Sequence, residues 1–406
     1  MGKIAFSLLP LSPESVERRK TILKEIVKDE IWTLDQVQGI INVNVPVRCT
    51  IVRLKNGELW VHNPVGPTAE MISMVKDIQK KTNCKVKYIV LATLGVEHKG
   101  TTGAFARNFP NAMIFIQPGQ YSFPINLPSA LFFKPFTKIS VIPENFKDSP
   151  WAEDIEHIVL DPLVPKGVGG FSETAFFHKK SKTLIVTDLV VKVEDEPPAI
   201  IQEDPRALLY HARDNMFETI DDTPQNRRKG WRRMVLFGLT FQPSGIKITE
   251  TLEAIKMLKD VPRSMKVLGE GAIPYDGGLY PWKWIKSEIP SFNALKGGLF
   301  VAPILQKLIL NREPEKVLAF VEKICEWKFT RVIPCHLSND IRAEPKEFRS
   351  AFNFLEVKKT PSLFSLFNSY VAPQALEIDC ALLTEASDNL TKQGVLFPIA
   401  PLVFKK

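Results

Sequence analysis

Tyr88-Ile-Val-Leu-Ala-Thr-Leu-Gly-Val-Glu-His-Lys-Gly100 is the stretch on which the fold turns. An uncharged, β-branched run of strand length ends in an acid, an imidazole and a glycine, the order in which a buried strand hands over to a loop and a helix. In α/β proteins polar site residues collect at the C-terminal ends of strands, so ionisable residues that directly follow a strand are the candidates for chemistry. Two other stretches share the form. Thr183-Leu-Ile-Val-Thr is followed by Asp188, and Val332-Ile-Pro-Cys by His336.

Working outward, Cys49-Thr-Ile-Val-Arg-Leu and Gly57-Glu-Leu-Trp-Val-His flank Lys55-Asn56-Gly57 and predict a hairpin. Met71, Met74, Val75 and Ile78 keep helical spacing behind Thr68, a residue suited to an N-cap. With the strand at Val86 this makes a hairpin followed by a β-α-β unit, and a further helix is expected from near Gly100 to Asn108, ahead of a strand at Met113. Thr174-Ala-Phe-Phe-His and Thr183-Leu-Ile-Val-Thr form a second hairpin with a basic tip, Lys179-Lys-Ser-Lys182. Glu315 to Trp327 is an amphipathic helix with Val317, Phe320, Val321 and Ile324 on one face, ahead of the strand at Thr330. The long segment between opens at Glu194-Asp-Glu-Pro-Pro and carries helical patterns around 208–217 and 231–241.

The metallo-β-lactamase superfamily has this order: a hairpin, a β-α-β with an acid-His-x-Gly turn, a hairpin ending in Thr-Asp-Leu and a late strand ending in Pro-x-His. Ser181-Lys-Thr-Leu-Ile-Val-Thr-Asp-Leu, Asp222-Thr-Pro-Gln-Asn-Arg-Arg-Lys-Gly-Trp and Val332-Ile-Pro-Cys-His resemble, more narrowly, a branch filed as a domain of unknown function and common in plants, algae and bacteria. The resemblance spans about residues 47–355. It implies an α/β (α+β) fold, an αββα sandwich: residues 1–46 an N-terminal extension, 47–193 and 315–355 the two parts of the main domain, 194–314 an insert or lid, and 356–406 a C-terminal tail.

The ligand pattern of the superfamily is incomplete here. Leu94 and Val96 stand where a His-x-His pair belongs, and Val168-Gly-Gly-Phe-Ser, the expected home of a middle histidine, has none. Glu97 and His98 resemble the acid and second histidine of the first loop, Asp188 the bridging carboxylate and His336 the final histidine. A full dinuclear centre is therefore not expected. Two readings stand. In one, His98, Asp188, His336 and Glu97 hold a single divalent metal such as Zn, Fe or Mn, with Glu97 as fourth ligand or as catalytic base, giving a mononuclear metal-dependent hydrolase for a small or anionic substrate. In the other, no metal binds, the same groups are caps and loop hydrogen bonds, and the chain is a binding or scaffold protein.

Composition narrows the partners. With 45% hydrophobic and 24% charged residues the chain builds a large core, and 53 Lys and Arg against 45 Asp and Glu leave a formal net charge of +8. The positive residues are scattered apart from Asn226-Arg-Arg-Lys-Gly-Trp-Arg-Arg233, and no nucleic-acid module accompanies them, so no nucleic acid is expected. That run reads either as a basic lid that favours anionic ligands or as a solvated helix face with Trp231 turned inward. Five widely spaced cysteines without a CxxC pair fit a reducing compartment. No apolar stretch reaches membrane-spanning length, which predicts a soluble intracellular protein, cytoplasmic, or plastidic if a presequence has been removed.

Overall fold

The computed structural model describes residues 19–40, 43–120, 138–163, 170–218, 220–249, 280–356 and 371–403. Two sheets form the body. The first runs in chain order through β1 (Ile22–Val27), β2 (Ile31–Ile40), β3 (Val43–Arg53), β4 (Glu58–His62), β5 (Lys85–Leu91), β6 (Met113–Ile116) and β7 (Ile139–Val141), antiparallel as far as β4 and parallel beyond it. The second has the order β14 (Ile341–Arg342), β13 (Arg331–Ile333), β10 (Thr183–Ile185), β9 (Thr174–His178), β8 (Ile155–Val159), with β10 and β13 parallel.

The period-2 alternation of strands assigns each side chain to a layer. Leu59 and Val61 of β4 and Ile89 and Leu91 of β5 face outward, under α1 (Ala69–Thr82) and α2 (Val96–Ala106). Their neighbours Trp60, Tyr88 and Val90 face inward and meet Phe176, Ile185 and Ile333 of the second sheet. Ala175, Leu184 and Val332 face the other way, toward helices that follow the insert. The result is the αββα sandwich that the resemblance implies. Thr68 caps α1 as expected, its hydroxyl accepting from the Met71 N–H at 3.1 Å, and Met71, Ile72, Val75 and Ile78 are buried.

Two expectations change. The segment 1–46 is not a mere extension from residue 22 onward: β1 and β2 extend the first sheet, β2 pairs with β3 along its whole length, and Trp32 and Leu34 pack in the outward-facing core. The alternation in Ile31-Trp-Thr-Leu-Asp-Gln-Val already carried that signal. The expected boundary at residue 47 falls inside β3. Second, α2 starts at Val96 rather than near Gly100, which places Glu97 and His98 in its first turn.

Beyond β10 the insert contributes α3 (Arg206–Ala212), α4 (Pro224–Thr240), the ribbon β11 (Ile246–Ile248) and β12 (Trp282–Trp284), α5 (Ile289–Leu295) and α6 (Pro303–Leu308). Tyr280, Trp282 and Trp284 pack with Tyr210 and Met216 inside the insert, with the Arg213 guanidinium lying 4.7 Å above Tyr210 and 4.5 Å above Tyr280. The chain then returns through α7 (Pro314–Cys325) and α8 (Pro345–Ser350), which cover the outer face of the second sheet. Residues 371–403 pack on the insert as α9 (Val371–Asp379) and α10 (Ala381–Lys392). The Arg312 guanidinium donates to Thr391 Oγ1 and the Phe397 carbonyl, and the Ser244 N–H to Asp379 Oδ1 at 2.7 Å. Among the described residues no helix is long and apolar enough to cross a membrane.

Candidate metal centre

The site is built where β5, β10 and β13 end. After β5, Gly95 turns the chain into α2. A Cβ at Gly95 would lie 2.8 Å from Glu97 Oε1, so a side chain there would push aside the Glu97 carboxylate, which folds back over the helix start, where the helix dipole favours negative charge. His98 points inward and is 1% exposed. After β10, the N–H groups of Thr187, Asp188 and Leu189 converge on the Glu173 carboxylate, which fixes the turn carrying the Asp188 side chain. After β13, His336 bridges to Val47, and its Nδ1–H donates to the Pro46 carbonyl at 2.9 Å.

Glu97, His98, Asp188 and His336 each offer a ligand atom, and these atoms all lie within 4.8 Å of one another. Nε2 of His336 is 3.0 Å from Oδ1 of Asp188, and the two imidazole centroids are 5.3 Å apart. Neither ring nitrogen of His98 has a hydrogen-bond partner among the described residues, although both are buried. Burial pushes the His98 imidazole down to about 3. Burial and the charge of Asp188 raise Glu97, and burial and the same charge raise Glu173 against the pull of its three N–H donors. Burial opposes charge on both members of the Asp188–His336 pair. Their mutual hydrogen bond and attraction outweigh it, lowering Asp188 and raising His336.

The four residues singled out in the sequence thus converge, while Leu94 and Val96 line the space above them. Residues 168 and 169 of the expected place of a middle histidine lie outside the described residues, and Glu173, directly after that stretch, is fully buried beside the cluster. His62 is buried under the site, stacked on Trp60 with ring centroids 5.7 Å apart, and its Nδ1 lies 3.8 Å from Cys335 Sγ. Cys335 and His336 point to different sides, as adjacent residues at a strand end do. His157 and His178 bond elsewhere, to the Pro143 carbonyl and Ser181 Oγ.

Three positioning residues escape a motif search. Arg48 is 1% exposed, pairs through two bonds with Asp35 at 2.7 and 3.1 Å, and donates to the carbonyls of Pro334, Leu337 and Ser338. It thereby holds the loop of His336, in which Leu337 sits at φ 56°, a conformation costly for a residue with a Cβ. Asn63, also at positive φ, accepts from the Ala92 N–H and donates to Thr187 Oγ1, tying together the ends of β4, β5 and β10. The signals were present. Arg48 is a lone charge in Val47-Arg-Cys-Thr-Ile-Val, and Glu173 an acid directly ahead of a strand.

Above the cluster opens a cavity of about 600 Å³ whose polar residues include Glu97, Asp188 and His336 and whose walls are mostly aliphatic. The basic run does not face it as free charge. Trp231 is turned inward, donating to the Glu194 carbonyl at 3.0 Å, and the partly exposed cations are paired with acids of the insert and its approach. Arg227 pairs with Asp222, Arg228 with Glu196, Lys229 with Asp214 and Arg232 with Glu288. Arg233, 4% exposed, binds Glu288 and Asp214 and lies over Trp284. The run is thus a set of paired cations rather than the free basic patch that a lid for anions would present.

An αββα sandwich with a buried imidazole–carboxylate cluster at its strand ends defines the class of protein. The chain belongs to the family described as a domain of unknown function, DUF4336, whose sequence pattern matches residues 28–354. No curated protein matches it. Among solved structures it is similar to a flavo di-iron protein of Thermotoga maritima at 9% identity, with 84% of this chain and 64% of that one covered and a TM-score of 0.40. It is similar also to a flavodiiron core from Synechocystis at 10% identity, with coverages of 82% and 60% and a TM-score of 0.39. A metallo-beta-lactamase of Pontibacter korlensis is similar at 12% identity, covering 47% and 83%, with a TM-score of 0.31. The chain spans less than two thirds of the length of the two flavodiiron structures.

Proposed function

We propose that His98, Asp188 and His336 hold one divalent metal ion, that Glu97 completes the cluster as the base, and that the protein is a mononuclear metal-dependent hydrolase. The orphaned imidazole of His98 carries the reading. A buried ring with two unpaired nitrogens is expensive, and a metal ligand is the role that repays it. Two imidazoles and a carboxylate suit Zn, Fe or Mn. The Pro46 carbonyl, by taking Nδ1–H, leaves the Nε2 lone pair of neutral His336 toward the cluster, the usual outer support of a ligating histidine.

When bound, such an ion supplies Lewis acidity toward a substrate oxygen and lowers the pKa of water. His98, His336 and Asp188 orient around it. Glu97, at the cavity floor, takes a proton from the attacking water. The water oxygen bonds to the electrophilic carbon, the bond to the leaving group breaks, and the leaving group departs with that electron pair and acquires the proton. The test is metal analysis of protein purified without a histidine tag, followed by melting with chelator and with added Zn, Mn or Fe(II). An ion at a hundredfold its dissociation constant stabilises by about 2.7 kcal/mol. No bound metal and no shift with any of the three sinks the hydrolase. The second reading, a scaffold without metal, draws on the direct Asp188–His336 pairing, which satisfies both groups without an ion.

A further inference from the structure

We propose that the substrate is an acyl amphiphile, with its aliphatic chain in the cavity above the cluster and its carboxylic ester or amide head at Glu97, Asp188 and His336. The inference rests on the hydrolase reading for the head and on separate observations for the chain. The first is composition. Met234 and Leu239 of α4, Leu305 and Leu308 of α6, and Leu390 and Leu396 of the C-terminal segment line a space of about 600 Å³, the size of small-molecule sites generally, while the polar groups gather at the cluster. An open surface of this kind costs hydration free energy unless an apolar ligand covers it.

The second observation is Gly238. It lies inside α4, where glycine is less favourable than alanine. Close packing explains the helix's other glycine, since a Cβ at Gly230 would lie 1.7 Å from the Leu208 carbonyl oxygen. It does not explain Gly238, whose added Cβ would meet nothing nearer than Val43 Cγ1 at 3.4 Å. Gly238 lines the cavity, and the missing side chain keeps the space open. The walls are mostly aliphatic with Met234 among them, Phe171 and Trp231 being the aromatic members, and a surface of that composition adapts to a flexible chain more readily than to a flat ring.

The test is titration of the purified full-length protein with octanoate, decanoate, dodecanoate and 2-naphthoate, followed by calorimetry. Affinity rises about fourfold per added methylene, the ratio set by burying a CH₂, and dodecanoate binds more tightly than 2-naphthoate. Gly238→Leu fills the cavity and weakens dodecanoate at least about tenfold while its metal content stays that of the parent. Should Gly238→Leu fail to fold, Leu305→Trp closes the same space. A flat series, tighter binding of naphthoate, or dodecanoate affinity unmoved by both substitutions overturns the proposal. Repeating the series on chelated protein separates the two readings: the slope per methylene persists whether or not a metal is ever found, because the chain does not touch the ligands.

Discussion

The molecule holds two dense polar assemblies, and they behave oppositely. On α4, five cations between Arg227 and Arg233 meet Asp222, Glu196, Asp214 and Glu288, and the buried Arg233 also donates to the carbonyls of Ala212 and Arg213. At the strand ends, four ionisable groups crowd within 4.8 Å and one of them, His98, has no hydrogen bond at either nitrogen among the described residues. The first assembly is conspicuous in sequence and closed in structure. The second is thinly spread over 240 residues and left open. Polar groups that satisfy one another build a fold, whereas a buried polar group left unsatisfied reserves a place for something else.

The sharpest way to break that contrast is to remove one member of each assembly. Arg233→Leu takes from the buried Glu288 one of its two arginine partners and from the Ala212 and Arg213 carbonyls a donor, and should cost about 3 kcal/mol in urea unfolding, with metal content unchanged. His98→Leu should do the reverse. Metal affinity, followed by competition with a chromophoric chelator, drops by about a hundredfold or more, while the metal-free protein stays within about 1 kcal/mol of the parent, because two unpaired nitrogens are lost with the ring. A His98→Leu protein that is as destabilised as Arg233→Leu would make His98 a structural residue.

His62 supplies a third test. Burial pushes its imidazole from 6.5 down to about 3. The unfolded chain therefore takes up a proton at His62 that the native protein refuses, and this contribution to stability is whole above about pH 6.5 and is lost as pH falls toward 3. His62→Phe, which keeps an aromatic ring between Trp60 and Phe176, should flatten the acid limb of stability measured by urea melts over that range. An unchanged slope would show that His62 titrates freely. The smallest effect belongs to the periphery of the basic run. Glu196→Gln removes an exposed partner of Arg228 and should change stability by less than about 1 kcal/mol.

Much of the site was legible because strand ends are local. A β-branched run that stops at an ionisable residue names its candidate without knowledge of the partners, and Glu97-His98, Asp188 and His336 were each found in that way. What holds them was not legible. Arg48 reaches the carbonyls of Pro334, Leu337 and Ser338, nearly 300 positions away in sequence, and a lone arginine in a strand does not announce its acceptors. Glu173 anchors the Asp188 turn through three N–H groups, a role that exists only once β9 and β10 are paired. The basic run misled for a related reason, because three of its four acidic partners, Glu196, Asp214 and Glu288, come from distant turns.

The sequence alone determined the alternation of strands and helices, the layers into which each strand's faces divide, and the identity of the four groups at the strand ends, since these follow from local periodicity and residue chemistry. Only the tertiary structure decided that β1 and β2 pair into the first sheet, that the α4 charges meet acidic partners and that an aliphatic cavity opens over the cluster. Those outcomes depend on which distant surfaces meet, and pairing, burial and empty space are properties of the packed chain.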